Sequence, residues 1–253
     1  MSIPAVAVNH NTTAYMELML RSLFAQNPDL PLAVTIYDND SDDDAAMRAL
    51  RAFAGRMDVP IVPSGFTTQS ENNSHGEILR QFTLDPARAM ADYLLFLEAD
   101  VCFTEAGTIR RWLDALAAEP AAFGAGPRQS WDGVTEMPAH LAVNPAIYEN
   151  QLHPCCALVR NTPLFRRVVA VIGLSAVSYH RAERTEYRDT FGLMTAVMGT
   201  HGQRHVIADA LVMHAFAVSY SNDWESLLPE KHRRRDDWLA RFRAMDDGTS
   251  YLG

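Results

Sequence analysis

The segment DYLLFLEADVCF (92–103) places Glu98 and Asp100 one residue apart at the end of an apolar run. A short apolar run of this kind reads as a buried strand, and free carboxylates are costly inside one. Either the two acids hold something cationic, or they mark where the strand surfaces and turns. Two carboxylates leaving the core together suit a hard divalent cation, Mn2+ or Mg2+, held jointly with the phosphates of a ligand. Such an ion neutralises charge on a departing diphosphate. Polar residues crowd the ends of two further apolar runs, at Asn9-His10-Asn11 and at Asp38-Asn39-Asp40. Turn and cap chemistry accounts for each group alone. Their recurrence at several strand ends points to a ligand crevice, because open parallel sheets bind ligands outside the carboxyl ends of their strands.

The elements that would position these groups alternate. AVAVNHN (5–11) reads as a first strand and TTAYMELMLRSLFAQ (12–26) as a helix, with Met16, Met19, Leu20, Leu23 and Phe24 at helical spacing and Thr12 or Thr13 as cap. LAVTIYDNDSDDD (32–44) is a second strand. Ser41 with Asp44 resembles a capping box for a helix striped by Met47, Leu50 and Phe53. VPIVPSG, ADYLLFLEADVCF and AFGAGP are further strands, with a helix at TEAGTIRRWLDALAAEP (104–120). Alternation of this kind predicts an α/β fold with a mostly parallel, Rossmann-like sheet flanked by helices. The second half is less regular. CCALVRNTPLFRRVVAVIG holds a strand and a helix, SAVSYHRAERTEYRD reads as an arginine-rich loop, TFGLMTAVMGTHG as a helix, and HVIADALVMHAF as a late strand ending at His214. EKHRRRDDWLARFR closes the chain as a charged amphipathic helix.

Composition removes several function classes. The chain has 253 residues and a net charge of −9, which argues against non-specific nucleic-acid binding. Three cysteines, Cys102, Cys155 and Cys156, are too few for a disulfide framework and show no metal-ligand spacing. A reduced, cytoplasmic setting is therefore expected. No basic leader precedes the first apolar run. The longest apolar stretch elsewhere, VVAVIGLSAV (168–177), falls far short of the ~20 residues that span a bilayer. There is no glycine between Met1 and Arg51, so no dinucleotide fingerprint follows the first strand, and no P-loop pattern exists. The one lysine is Lys231, in the closing helix, which leaves the rest of the chain without lysine chemistry.

Over most of residues 3–216 the chain resembles a GT-A glycosyltransferase of the inverting, family 2-like group. VAVNHNTTAYMELMLRSL resembles that family's opening strand and helix, IYDNDSDDD its acidic segment, and SENNSHGEIL its Asn-x-Gly turn. YLLFLEADV resembles its metal-binding D-x-D strand with Glu98 in the first place, EYRDTFGLM and GTHG its acidic helix start and distal glycine, and LVMHAF its late histidine. The resemblance implies a single GT-A domain with a small antiparallel addition to the sheet. It implies a nucleotide-binding half (1–127), an acceptor-binding and catalytic half (128–216) and a helical tail (217–253).

The resemblance also implies roles. Val8 and His10 would line the nucleotide base, Asp38 would accept a hydrogen bond from base or ribose, and Asn72 or Asn73 would lie near base and sugar. Glu98 would face the ribose or donor sugar, or join the metal. Asp100 and His214 would be metal ligands. Asp189 would be the general base that deprotonates the acceptor hydroxyl, with Glu186 as the second choice; as residue types, Asp189 also suits an N-cap of the helix that follows, and Trp131 suits either sugar stacking or core packing. The expected partners are a nucleotide-sugar donor and an acceptor. Two other functions share such a crevice: a sugar nucleotidyltransferase, which would carry a glycine- and arginine-rich loop after the first strand, and a catalytically silent nucleotide-sugar-binding protein.

Overall fold

The computed structural model describes residues 2–66, 74–134, 151–176, 189–216, 218 and 225–246. Strands β1 (Ile3–Asn9), β2 (Leu32–Asp38), β3 (Ile61–Pro63) and β4 (Tyr93–Glu98) alternate with helices α1 (Thr13–Gln26), α2 (Ala45–Arg56) and α3 (Ser74–Leu84). They are followed by β5 (Val101–Phe103), α4 (Thr108–Ala118), β6 (Ala122–Ser130), β7 (Cys156–Arg160), α5 (Pro163–Ile172), α6 (Gly192–Thr200), β8 (Arg204–His214) and α7 (Leu228–Asp246). One sheet contains all these strands, in the order β3-β2-β1-β4-β7-β6-β8-β5.

Strand direction decides where the polar ends go. β1 pairs in parallel with β2 and β4, and β2 with β3. β7 runs antiparallel between β4 and β6, and β8 lies parallel to β6. β1, β2, β4, β6 and β8 therefore all point the same way, and Asn9, Asp38, Glu98 and His214 share one carboxyl edge. β5 returns antiparallel along β8, with Val101 opposite His214. The antiparallel addition is thus partly internal, at β7, and partly at the edge, at β5.

Side chains of the central strands alternate between two apolar layers, as a period of two requires. Ala5, Ala7, Leu95 and Leu97 face α1, α2 and α4, packing with Met16, Leu50 and Trp112. Val6, Leu94 and Phe96 face the other layer, with Leu79 and Phe82 from α3, Phe165 and Val169 from α5, and Met194 and Met198 from α6. Because β4 is covered on both faces, its apolar run is unbroken until Glu98. A third cluster docks the closing helix: Leu239 and Phe242 of α7 pack with Leu18, Cys102 and Met213, and Arg243 pairs with Glu17 at 2.6 Å.

Local capping departs from the sequence expectation in three places. Thr12 flanks α1 but makes no side-chain cap; its hydroxyl donates to Asn9 Oδ1 at 3.0 Å. α2 is capped by Asp44, which accepts from Met47 N. Ser41 is turned away from α2 and accepts from Asn9 Nδ2 and the Asn11 N–H, both at 3.0 Å. Asp189 is not the N-cap of α6, which starts at Gly192 after Phe191, whose left-handed backbone (φ 74°) separates the acid from the helix.

α4 borrows its cap. Its flanking Gly107 offers no side chain, and the buried Asn27 at the end of α1 accepts from Ile109 N at 2.9 Å while donating to Leu23 O at 2.9 Å. Asn27→Ala leaves that buried N–H unpaired and is expected to lower unfolding stability by about 1–3 kcal/mol, measured by urea denaturation. An unchanged denaturation midpoint would contradict this coupling of α1 to α4.

Candidate functional site

Glu98 ends β4, Asp100 sits in the two-residue link to β5, and His214 ends β8. The link is held in place by Ala215 N, which donates to Asp100 O at 2.9 Å. His214 Nε2 lies 3.1 Å from Glu98 Oε2 and 3.4 Å from Asp100 Oδ1. Its Nδ1 meets Gln129 Oε1 at 2.9 Å. An amide oxygen only accepts, so Nδ1 carries a hydrogen and Nε2 is the nitrogen offered to the acids. His214 and Asp100 are 2% and 7% exposed.

Burial of this kind must be balanced by charge. Burial pushes the His214 pKa down, but the charge and hydrogen bond of Asp100, together with Cys155, outweigh it and hold the imidazole well above its ordinary range. Burial would push Glu98 up; the hydrogen bond and charge of His214 instead bring it down to about 2. A proton on His214 and a divalent ion would thus balance the same two acids.

The donor set fits a divalent ion. Carboxylate oxygens of Glu98 and Asp100 and a ring nitrogen of His214 lie within 4.8 Å of one another, and two hard oxygens with one imidazole suit Mn2+ or Mg2+. The Tyr15 hydroxyl on α1 is buried without a hydrogen-bond partner among the described residues. Burial raises its pKa, and Asp100 adds to that. An orphaned buried hydroxyl beside an acid is a place where a ligand or water completes the site.

The other strand ends form one hydrogen-bonded shelf. Buried Asn9 donates to Asp38 Oδ1 at 3.1 Å. Asn39 donates to Ser74 at 3.1 Å and accepts from Ser64 at 3.0 Å. His10 Nδ1 lies 2.9 Å from Asn39 O, so that nitrogen donates and the ring is fixed to the shelf. Val8 stands opposite Glu98 in the β1–β4 register. Asn11, Asp40 and Phe216, which follow β1, β2 and β8, all have left-handed backbones (φ 54°, 61° and 51°), and such costly conformations concentrate where a site demands them. Asn72, Asn73, Glu186 and the arginines at 181, 184 and 188 lie outside the described residues.

Asp189 is tied to this edge by His153. His153 Nε2 faces Asp189 Oδ2 at 3.5 Å, and the His153 ring centre is 5.5 Å from that of His214. Gln151 Nε2 donates to Asp189 Oδ2 at 3.3 Å and Thr190 N to Oδ1 at 2.8 Å. Burial raises the Asp189 pKa despite His153, which makes it a stronger proton acceptor when ionised. Two residues on, Phe191 is locked edge-on against Phe96 of β4 at 5.0 Å, so the acid takes its position from the strand that carries Glu98.

Sequence reasoning missed His153, Gln129, Gln151 and Lys231 as parts of this edge. The histidine and glutamines carry no local pattern. One indirect signal for His153 exists in β6: a Cβ at Gly124 would meet Leu152 at 2.6 Å, so the strand is kept bare there for the segment that delivers the histidine. Lys231 had a plainer signal, as the sole lysine in an arginine-rich helix. It is 3% exposed, donates to Phe216 O and lies 5.6 Å from the Trp131 ring centre. Phe216 in turn packs on His214 at 3.8 Å. Burial lowers the Lys231 pKa, and Asp100 opposes that. Arg235 of the same helix lies over the Tyr15 ring at 4.9 Å.

Solved structures with this architecture are recognisable once the edge is in view. A mannosyltransferase, PcManGT from Pyrobaculum calidifontis in complex with GDP-mannose and Mn2+, superposes with a TM-score of 0.57 at 13% identity, over 98% of this chain and 75% of that one. The chain has the glycosyltransferase-A fold. Residues 1–349 of S. aureus TarS in complex with UDP-GlcNAc share the GT-A fold with it at a TM-score of 0.54 and 15% identity, over 99% of this chain and 74% of that one. The chain spans 44% of a longer TarS structure. Glucosyl-3-phosphoglycerate synthase from Mycobacterium tuberculosis, with Mn2+, UDP-glucose and phosphoglyceric acid, matches at a TM-score of 0.52 and 14% identity, over 95% and 79% of the two chains. No protein-family model and no curated protein matches the sequence. No helix among the described residues is long and apolar enough to cross a membrane.

The Glu98–His214 contact makes a pH prediction. With its pKa lowered from 4.5 to about 2, Glu98 stabilises the metal-free fold fully above 4.5 and loses that contribution as pH falls toward about 2. The gap in thermal stability between wild type and Glu98→Gln is therefore expected to close over that interval. A gap that stays constant down to the lower value would remove the ion pair from the account.

Proposed function

We propose that this protein transfers a sugar from a nucleoside-diphosphate sugar to an acceptor hydroxyl, with inversion at the anomeric carbon. The observation that carries this reading is the convergence of Glu98, Asp100 and His214 within 4.8 Å at the carboxyl edge of a GT-A sheet, with a half-buried carboxylate, Asp189, linked to them through His153. The family 2-like resemblance and the nucleotide-sugar complexes of the structural neighbours support it.

In this reading the base lies against Val8 and His10, with Asp38 as acceptor for base or ribose and Asn72 or Asn73 beside base and sugar. Asp100 and His214 hold the cation, Mn2+ or Mg2+, and Glu98 either joins them or faces the ribose. A bound divalent ion supplies neutralisation of the leaving diphosphate. Asp189 takes the proton of the acceptor hydroxyl, and its raised pKa suits that task. The acceptor oxygen then attacks the anomeric carbon from the face opposite the diphosphate, forming the new glycosidic bond as the C–O bond to phosphate breaks. Gln151 and His153 orient Asp189. Lys231 adds a cation on the diphosphate side: its ammonium has three N–H donors, and the Phe216 carbonyl engages it without exhausting them.

A panel of nucleotide sugars with Mn2+ and candidate acceptors tests the reading. Wild type is expected to release nucleoside diphosphate with an inverted product, and Asp189→Asn to lose ~10²–10⁴-fold in turnover with donor affinity retained. Wild-type rates from Asp189→Asn would refute the base assignment, and donor binding with no turnover by wild type would make the protein a binding module. Lys231→Gln is expected to raise the donor KM by about tenfold or more with a smaller change in kcat. An unchanged KM would confine Lys231 to fixing α7.

A further inference from the structure

Next to the hard donor set lies a softer one that shares a residue with it. His153, Cys155 and His214 each offer a donor atom, and the three donors lie within 4.8 Å of one another. Cys155 is fully buried and His214 nearly so. His153 and Cys155 flank Pro154 in the turn before β7, and Cys155 N donates to His153 Nδ1 at 3.2 Å. That bond folds ring and thiol into the same turn. Gln129 brings in the third member: its Nε2 donates to Cys155 Sγ at 3.2 Å while its Oε1 holds His214 Nδ1 at 2.9 Å.

Two imidazoles and a thiol are the ligands of a borderline-soft ion such as Zn2+, whereas two carboxylates and one imidazole suit the harder Mn2+ and Mg2+. Gln129 occupies Nδ1 of His214, so Nε2 is the nitrogen left for a cation in either set. One lone pair cannot serve two ions.

We propose that His153, Cys155 and His214 form a second cation site, selective for zinc-class ions, which competes with the Glu98–Asp100 site for His214. An ion entering it takes the His214 nitrogen, displaces the Cys155 thiol proton to solvent and leaves the acid pair without its third ligand. The existence of the site is independent of the glycosyltransferase reading; its consequence, zinc inhibition of a manganese-supported transfer, rests on that reading.

Cobalt reports thiolate ligation directly. Titration of the metal-free, full-length protein with Co2+ is expected to raise a sulfur-to-cobalt charge-transfer band in the near ultraviolet. The band should be present in wild type and Asp100→Asn, absent in Cys155→Ser, and bleached by equimolar Zn2+. Zn2+ should weaken Mn2+ binding to wild type, read from the electron paramagnetic resonance of free Mn2+, by about tenfold or more. The loss should be clearly smaller in Cys155→Ser, where Zn2+ competes only by entering the Glu98–Asp100 site itself; an equal loss there would overturn the sharing of His214. No band in wild type, or a band that survives Cys155→Ser, would overturn the site, and Mn2+ binding indifferent to Zn2+ in wild type would overturn the sharing of His214. If Cys155→Ser does not fold, His153→Gln carries the test, with the band expected to saturate only at higher cobalt concentration. The cobalt band needs no turnover, so it stands or falls apart from sugar transfer.

Discussion

The whole carboxyl edge depends on one buried imidazole. His214 is held from behind by Gln129 and faces Glu98 and Asp100 in front. Two acids packed into a nearly dry corner repel each other and cost several kcal/mol to desolvate. The positive charge on the imidazole is what allows both to stay. Much of the remaining architecture serves that balance: β5 folds back so that the Asp100 link is clamped by Ala215, and α7 closes over α1 to bring an ammonium to the same corner.

The sheet explains how residues so far apart in sequence arrive together. A purely parallel sheet built in chain order would leave β8 distant from β4. Reversal at β7 lets β6 and β8 rejoin the direction of β4, and the curl of the sheet lets β5 pair with β8 directly after leaving β4. The same reversal puts the turn carrying His153 and Cys155 at the carboxyl edge, since an antiparallel strand begins where its neighbours end.

Legibility in the sequence followed the range of the interaction. β1, β2, β4, α1, α2, α4 and α7 were readable because their signals are periodic and local. Glu98 and Asp100 were conspicuous because carboxylates stand out against an apolar run, and His214 because it terminates one. His153 and Gln129 were silent, for their meaning comes from neighbours in space rather than in sequence. Caps misled for a related reason: Ser41 and Thr12 are good cap residues, yet Asn9 claims both hydroxyls across the strand ends. Propensity names what a side chain can do, and tertiary competition decides what it does. The α/β class and the parallel core stood as read, while the internal position of the antiparallel strand needed the structure.

Phe96 lies in the middle of β4 with its ring among Phe82, Phe165 and Phe191. Its neighbour Leu97 leads straight to Glu98, and Phe191 leads straight to Asp189. One aromatic ring thus serves as a common datum for the acid at the cation corner and the acid across from it. A change of volume at this ring would displace both acids relative to each other without touching either, so the spacing between them is a property of the hydrophobic layer.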